Sequence, residues 1–183
     1  RPGYKFLTAD YSQIELRILA LLSQEPATLK VYKEGGDIHG LTAKLMGIAR
    51  KAAKIVGFGV IYGMSPMGLV GALKKAGVTI TVDKAGEYIK NYWSTYKRVE
   101  AMFEYLRTQV RRTGYVRSIS GRKRRFYSKG MELSAGDLRA ACNMEIQGTA
   151  ADIMKAGMWR VWNNLDGSRA HLVLQVHDEI TVE

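Results

Sequence analysis

The sequence predicts an α+β fold in which a few strands pack with a larger number of helices. Two observations favour this class. Short runs of strand-forming residues lie near both ends of the chain, and long stretches with apolar residues three or four positions apart lie between them. The chain has 183 residues, of which 46% are hydrophobic, so it can bury one core, and it contains no internal repeat.

The predicted elements follow in chain order. Strands are predicted at residues 4–9, 171–176 and 180–183, and a short hairpin at 115–118 and 124–127. Helices are predicted at residues 41–62, 82–95, 99–112 and 135–165. A further helix follows the first strand, which stops at Asp10. Ser12 fits the N-cap of that helix, and Glu15 fits its reciprocal partner in a capping box.

The composition favours a polyanionic partner. The formal net charge is +11 and the isoelectric point is near 9.8. Among polyanionic partners for such a positive surplus, nucleic acid is the commonest. An anionic membrane surface would attract the same charge, but no long basic amphipathic helix is visible, and no apolar run approaches the ~20 residues of a membrane span. The single cysteine, Cys142, excludes an internal disulfide. We therefore expect an intracellular chain that does not enter membranes.

Three acidic residues are candidate ligands for a metal ion. Asp10 ends the first predicted strand, and Asp178 and Glu179 occupy the turn between the last two. Mg²⁺ takes oxygen ligands, usually one or two carboxylates together with substrate phosphates and water. Each residue also has a simpler interpretation, because an aspartate before a helix often caps it and an Asp-Glu pair on a hairpin is often only a solvated turn.

A stripe of basic and aromatic side chains recurs every four residues along the predicted helix at 41–62. Its members are Arg50, Lys54, Phe58 and Tyr62. Steps of four keep them on one face, so the cations could meet a triphosphate while the rings stack on a base. An amphipathic helix with a solvated basic end and a buried aromatic end would give the same pattern. Gly57 and Gly59 favour the functional interpretation, since each costs ~1 kcal/mol in a helix and suggests a close approach to the backbone.

Five segments resemble motifs of family-A, polymerase-I-like DNA polymerases, and they occur in the same order as in that family. DYSQIELR at residues 10–17 is similar to motif A, RKAAKIVGFGVIYG at 50–63 to motif B, and VHDE at 176–179 to motif C. TGYVRSISGRKRRF at 113–126 and RAACNMEIQGTAAD at 139–152 resemble further family segments. The resemblance covers nearly the whole chain. It implies the palm and fingers of a template-directed DNA polymerase, with an antiparallel palm sheet and helical fingers.

The resemblance also implies residue roles. Asp10 and Asp178 would bind two catalytic Mg²⁺ ions, for which Mn²⁺ can substitute, with the Tyr11 carbonyl assisting and Glu179 beside them. Independently of the resemblance, the place of Lys54 in the basic stripe would let it act as a general acid toward a leaving pyrophosphate. Residues implied in nucleotide binding are Tyr11, Gln13, Glu15, His39, Arg50, Lys54, Phe58 and Tyr62. Residues implied in contact with primer–template DNA are Arg122, Arg139, Asn143, Gln147 and His177.

Within the nucleotide site, the resemblance assigns a part of the deoxynucleotide to each group of residues. His39, Arg50 and Lys54 would hold the triphosphate. Phe58 would flank the sugar and base, and Tyr62 would cap the nascent pair. Glu15 would crowd the ribose 2′ position and so favour deoxynucleotides, with Gln13 nearby.

The predicted organisation divides the chain into a palm segment at 1–38, fingers at 39–112 and a second palm segment at 113–183, working as a monomer. Two features depart from the family pattern: His39 and Arg50 lie close together, and Gly57 replaces a usual asparagine. Two other functions stay open. A single-subunit RNA polymerase shares this palm chemistry, although Glu15 and Phe58 argue against it. A catalytically weak DNA-binding fragment would bind DNA in a salt-sensitive way without extending a primer.

Overall fold

The computed structural model describes residues 3–127, 132–167 and 169–183, and confirms the α+β class. Its helices are α1 (Ile14–Ser23), α2 (Pro26–Lys33), α3 (Ile38–Met46), α4 (Arg50–Ile61), α5 (Pro66–Lys75), α6 (Val82–Thr95), α7 (Lys97–Thr113) and α8 (Ala135–Asn164). Its strands are β1 (Leu7–Asp10), β2 (Tyr115–Arg117), β3 (Lys123–Arg125), β4 (Leu172–Val176) and β5 (Glu179–Val182). Within these described ranges, no helix is long and apolar enough to cross a bilayer.

An antiparallel sheet joins the first and last strands of the chain. β5 lies in its centre, with β1 on one side and β4 on the other. Leu7 pairs with Val182 and Asp10 pairs with Glu179 across β1 and β5. β4 and β5 form a hairpin whose last pair is Val176 and Glu179. β2 and β3 pair separately as the predicted hairpin.

The main core lies where α1, α4, α5, α6, α7 and α8 meet. Its most deeply buried side chains include Val56, Leu69, Tyr96, Phe103 and Ile146. A second, smaller cluster lies between α7, the β2–β3 hairpin and α8, and consists of Val110, Val116, Phe126, Ala141 and Met144. α8 therefore contributes to both clusters and connects the helical part of the chain with the hairpin.

The single helix predicted over residues 41–62 is wrong, because the structure has two helices there. α3 ends at Met46, and its C-cap Gly47 has a left-handed φ of 65°. Glycine adopts this conformation without steric cost, so the chain turns at this position. α4 then begins at Arg50, and residues 47–49 alone connect the two helices. His39 and Arg50 therefore lie on two neighbouring helices that are joined by only three residues.

The predicted capping box at the start of α1 is also wrong. The N-cap is Gln13, with a left-handed φ of 57°, and within the described residues no side chain caps this helix. The Ser12 carbonyl accepts a hydrogen bond from Arg17 Nε at 2.9 Å. The Glu15 carboxylate bonds instead to Tyr62, far away in sequence. A tertiary contact has therefore replaced the local one.

Candidate active site

Two acidic residues from opposite ends of the chain lie at adjacent backbone positions at one end of the sheet. The register of β1 and β5 sets Asp10 opposite Glu179. The Tyr11 N–H then donates to the Asp178 carbonyl at 3.0 Å, which extends the ladder by one more contact. Neighbouring strands lie about 5 Å apart. Strand register, and no local motif, therefore makes Asp10 and Asp178 neighbours.

A tight turn presents Asp178. Only His177 and Asp178 connect β4 to β5, since Val176 pairs with Glu179. His177 has a φ of 54°, a left-handed conformation that costs a residue with a side chain roughly 1–2 kcal/mol. Two-residue hairpins call for such angles because they match the twist of the strands. The backbone is therefore strained at the residue just before a candidate metal ligand.

A cavity of about 480 Å³ opens beside this turn. Its size falls within the range of small-molecule sites, about 300–1,000 Å³. Six of the predicted site residues line it: Gln13, Glu15, Phe58, Gln147, His177 and Asp178. Four further lining residues were not predicted: Ile14, Leu16, Ala150 and Ala151. The cavity thus joins residues from α1, α4, α8 and the β4–β5 turn.

Glu15 faces this cavity from the first turn of α1. The Tyr62 hydroxyl donates a hydrogen bond to its carboxylate. Burial raises the pKa of Glu15 above its usual value, and the nearby Asp178 charge raises it further, while His177 opposes the shift. The carboxylate is therefore close enough to the β4–β5 turn to be affected by its charges. Its bond to Tyr62 links α1 to the end of α4.

Three aromatic rings form a continuous column beside Glu15. Phe58 and Tyr62 stack with their centroids 6.4 Å apart and their planes 5° from parallel. The His39 ring lies beside Phe58, and the centroids of these two rings are 5.8 Å apart. Tyr62 is the C-cap of α4 and not a helical residue, as its ψ of 6° indicates. Phe58 is the member of this column that lines the cavity.

The basic end of α4 is open to solvent. Lys54 is exposed, and Arg50 pairs with Asp37 through Nε and Oδ2, which lie 2.5 Å apart. His39 is buried, and burial lowers the pKa of its imidazole. Asp37 acts to raise that pKa, whereas Lys54 and Arg50 act to lower it. The predicted triphosphate ligands thus form one group, with His39 favoured in its neutral form.

The two glycines of α4 pack against the protein itself. A Cβ at Gly57 would lie 3.6 Å from the Tyr92 ring, and one at Gly59 would lie 3.3 Å from Met64 Sδ and 3.4 Å from Leu69. Both glycines are buried. Side chains do approach the backbone here, but among the described residues they come from α5, from α6 and from Met64, two residues before α5. The glycines therefore do not favour a ligand at this face.

Asp10 and Tyr11 border a smaller cavity of about 190 Å³ between the sheet and the second half of α8. The Tyr11 hydroxyl lies over Gly157, where an added Cβ would come within 2.5 Å of it. The Tyr11 carbonyl accepts a hydrogen bond from the Ile14 N–H at 3.0 Å. A carbonyl oxygen has two lone pairs, so one remains for a further partner.

Three polar residues predicted to contact DNA lie along α8. Arg139 packs its aliphatic part against Gly63, where a Cβ would lie 2.4 Å from Arg139 Cδ. Asn143 Oδ1 is buried, and no described residue bonds to it. Gln147 is exposed and reaches the cavity. Of the three, only Gln147 touches the space beside Asp178.

Arg122 is engaged within the chain. Its Nε donates to Asp152 at 2.9 Å and its Nη2 to the Gly148 carbonyl at 2.9 Å. Ser118 and Ser120 donate to the same carboxylate at 2.5 and 2.6 Å. Burial alone would raise the pKa of Asp152, but these bonds and the Arg122 charge hold it below its usual value. The β2–β3 turn is therefore fastened to α8.

The donor set at the sheet edge fits a hard cation. In the described part of the chain, no three His, Cys, Asp or Glu side chains form a metal-ligating cluster. Mg²⁺ does not require one, because it keeps several waters and binds through one or two carboxylates together with substrate phosphates. Asp10, Asp178 and the Tyr11 carbonyl supply two carboxylates and one carbonyl at adjacent positions.

Comparison with known proteins identifies the family. The model of DNA polymerase family A matches residues 1–183. The chain belongs to DNA polymerase family A. The family resemblance predicted from the five segments is thereby confirmed.

Curated family-A relatives support this membership. The thermostable DNA polymerase I of Thermus thermophilus is 40% identical over 195 residues, which cover 99% of this chain and 23% of that protein. DNA polymerase I of Pseudomonas aeruginosa is also 40% identical, covering 99% of this chain and 21% of its own length. The chain thus spans less than a quarter of the curated relatives it matches.

A solved structure shows the same family-A fold. It is the polymerase domain of Pol1 from M. smegmatis in complex with DNA primer-template and dNTP. It superposes with a TM-score of 0.87 at 31% identity, covering all of this chain and 34% of that one.

Three residues that contact candidate site residues had no recognised signal in the sequence. Asp37 binds Arg50, Asp152 binds Arg122, and Gly157 makes room for Tyr11. The position of Asp37 as the N-cap of α3 could have been suspected, since an aspartate before a helix often caps it, but its pairing with Arg50 could not. The other two contacts depend on how α8 packs, which no local pattern reveals.

Proposed function

We propose that this chain is the catalytic palm and fingers of a DNA polymerase, which adds deoxynucleotides to a primer 3′ end and releases pyrophosphate. Residues 1–38 and 113–183 would form the palm, and residues 39–112 the fingers. The observation that carries the proposal is that Asp10 and Asp178 lie at adjacent backbone positions, and that Asp178 lines a cavity together with Glu15 and Phe58. The Pol1 structure with primer-template and dNTP supports it.

The carboxylates of Asp10 and Asp178, with the Tyr11 carbonyl, would hold two Mg²⁺ ions, or Mn²⁺ in their place. Bound divalent ions supply activation of an attacking oxygen and neutralisation of phosphate charge. The chain's own part would be to position these ligands, and the β1–β5 register and the tight turn at His177 support this. Glu179, opposite Asp10, would support them.

The N-terminal end of α4 would bind the triphosphate. Arg50 and Lys54 carry the positive charge, and His39 would contribute a ring nitrogen. Within the described residues no side chain caps α4, whose N-cap is Ala49. Its first N–H groups and its helix dipole therefore favour an anion as well. Lys54 would donate a proton to the pyrophosphate as it leaves.

The sugar and base would lie against the aromatic column. Phe58 faces the cavity and would flank the sugar and base, while Tyr62 would cap the nascent pair. Glu15, held by Tyr62, would crowd the ribose 2′ position and so select deoxynucleotides. Gln13 would lie nearby, since it lines the same cavity.

Primer–template DNA would run along α8 and past the β4–β5 turn. Gln147 and His177 face the cavity, and Asn143 has a buried oxygen atom without a partner among the described residues. Arg139 and Arg122 would contact the backbone, Arg122 only through nitrogens that its internal bonds leave open.

Primer extension tests this function. A labelled primer–template is incubated with the chain and with deoxynucleotides or ribonucleotides, each with and without Mg²⁺. We expect Mg²⁺-dependent extension with deoxynucleotides by a monomer. Extension with ribonucleotides alone would instead identify an RNA polymerase. Salt-sensitive DNA binding without any extension would identify a DNA-binding fragment and contradict the proposal.

A further inference from the structure

Arg50, the first residue of α4, forms an ion pair with a carboxylate of the same chain. Its Nε lies 2.5 Å from Asp37 Oδ2, and its Nη2 lies 3.1 Å from Oδ1. This is the two-point geometry that a guanidinium makes with a carboxylate or a phosphate. Both side chains are open, with 61% of Arg50 and 42% of Asp37 exposed. An incoming anion can therefore reach this pair and compete with Asp37 for the Arg50 guanidinium.

The same carboxylate is positioned by the start of α3. Asp37 is the N-cap of α3, and its Oδ1 accepts a hydrogen bond from the His39 N–H at 3.1 Å. Gly40 leaves space for it, because a Cβ there would lie 2.7 Å from Oδ2. Residues 47–49 bring the start of α4 beside this cap. Asp37 is thus oriented by its backbone partners before Arg50 binds it.

We propose that Asp37 competes with the nucleotide triphosphate for Arg50, so that the triphosphate must displace this carboxylate before Arg50 can bind it. The inference rests on the proposed function, in which Arg50 is a triphosphate ligand. Asp37 is a positioning residue in this scheme. It keeps Arg50 in place without nucleotide and lowers the affinity for the triphosphate.

A purely structural role for Asp37 makes a different prediction. If Asp37 only capped α3, asparagine would replace it without functional effect, since Asn and Asp are comparable N-caps. Asparagine keeps the oxygen that accepts from the His39 N–H but loses the charge that holds Arg50. The variant Asp37→Asn therefore separates the two roles without removing the cap.

The first readout is binding of inorganic tripolyphosphate, measured by calorimetry on the full chain. We expect Asp37→Asn to tighten binding by roughly two- to five-fold, the range set by an exposed ion pair. Asp83→Asn, which removes one exposed charge from the first turn of α6, is the matched control and should leave the affinity nearly unchanged. In an Arg50→Gln background, Asp37→Asn should have no effect. An unchanged or weaker affinity in Asp37→Asn, or no measurable binding in any variant, overturns the proposal.

The second readout is primer extension over a range of deoxynucleotide concentrations. Asp37→Asn should lower KM by a similar factor and leave kcat nearly constant, since the competition acts before chemistry. A fall in kcat at constant KM would contradict the competition. The two proposals can fail separately. If the wild-type chain does not extend a primer but Asp37→Asn still tightens tripolyphosphate binding, the polymerase function is refuted and the competition for Arg50 stands.

Discussion

Removing the Tyr62 hydroxyl tests whether the link between α1 and α4 stabilises the fold. The Tyr62→Phe variant keeps the ring that stacks on Phe58 but loses the hydrogen bond to Glu15. A hydrogen bond to a charged group contributes about 1.5–3 kcal/mol. Glu15 is only partly buried, so water can replace some of that bond. We expect the free energy of unfolding to fall by about 1–2 kcal/mol.

Urea unfolding measures this loss, and a double-mutant cycle with Glu15→Gln assigns it to the pair. Burial raises the pKa of Glu15, and its ordinary value is 4.5. The hydrogen bond from the Tyr62 hydroxyl therefore stabilises the fold most at neutral pH, where the Glu15 carboxylate is charged. The cost of Tyr62→Phe should shrink as the pH falls toward 4.5 and Glu15 becomes neutral.

The matched control is Tyr105→Phe, which removes the hydroxyl of a tyrosine that is 60% exposed on α7. Its effect should stay within about 0.5 kcal/mol. The reasoning is refuted if Tyr62→Phe and Glu15→Gln are additive to within about 0.3 kcal/mol, because residues in contact should couple by at least about 0.5 kcal/mol.

Two further variants probe α8. Asp152→Asn should weaken the fold by about 1–2 kcal/mol at neutral pH by loosening Arg122. Because the pKa of Asp152 is held low, the difference from wild type should disappear as the pH falls below 3.8, and a constant difference would refute the ion pair. Gly157→Ala should displace the Tyr11 ring, seen as a change in near-ultraviolet circular dichroism, because the added Cβ would lie 2.5 Å from its hydroxyl. Gly86→Ala, with nothing within 4 Å, should leave that signal unchanged and stabilise α6 by about 1 kcal/mol.

Much of the fold follows from local patterns. The helices over residues 82–95, 99–112 and 135–165 were predicted to within two residues, because each has a long apolar period and clear end signals. α2 and α5 were missed although each has a proline at its first turn, a known start signal. Both are short, and short helices depend on packing more than on their own propensity.

The sequence suggested candidate residues for the site, but it could not predict their geometry. Asp10 and Asp178 meet only through strand register, which depends on the whole sheet. Glu15 fitted a capping box by its spacing, but its carboxylate bonds to Tyr62 instead because the end of α4 lies against α1. Local patterns describe which partner is near in sequence, whereas tertiary packing decides which partner is used.

Single-turnover primer extension by Asp178→Ala tests the central claim most directly. Asp83→Ala, which removes an exposed carboxylate from α6, is the control. The account predicts that Asp178→Ala abolishes deoxynucleotide addition with Mg²⁺ and with Mn²⁺, while its unfolding free energy and DNA affinity stay close to those of the control. Extension by Asp178→Ala at the rate of the control would contradict the assignment of this carboxylate as a metal ligand.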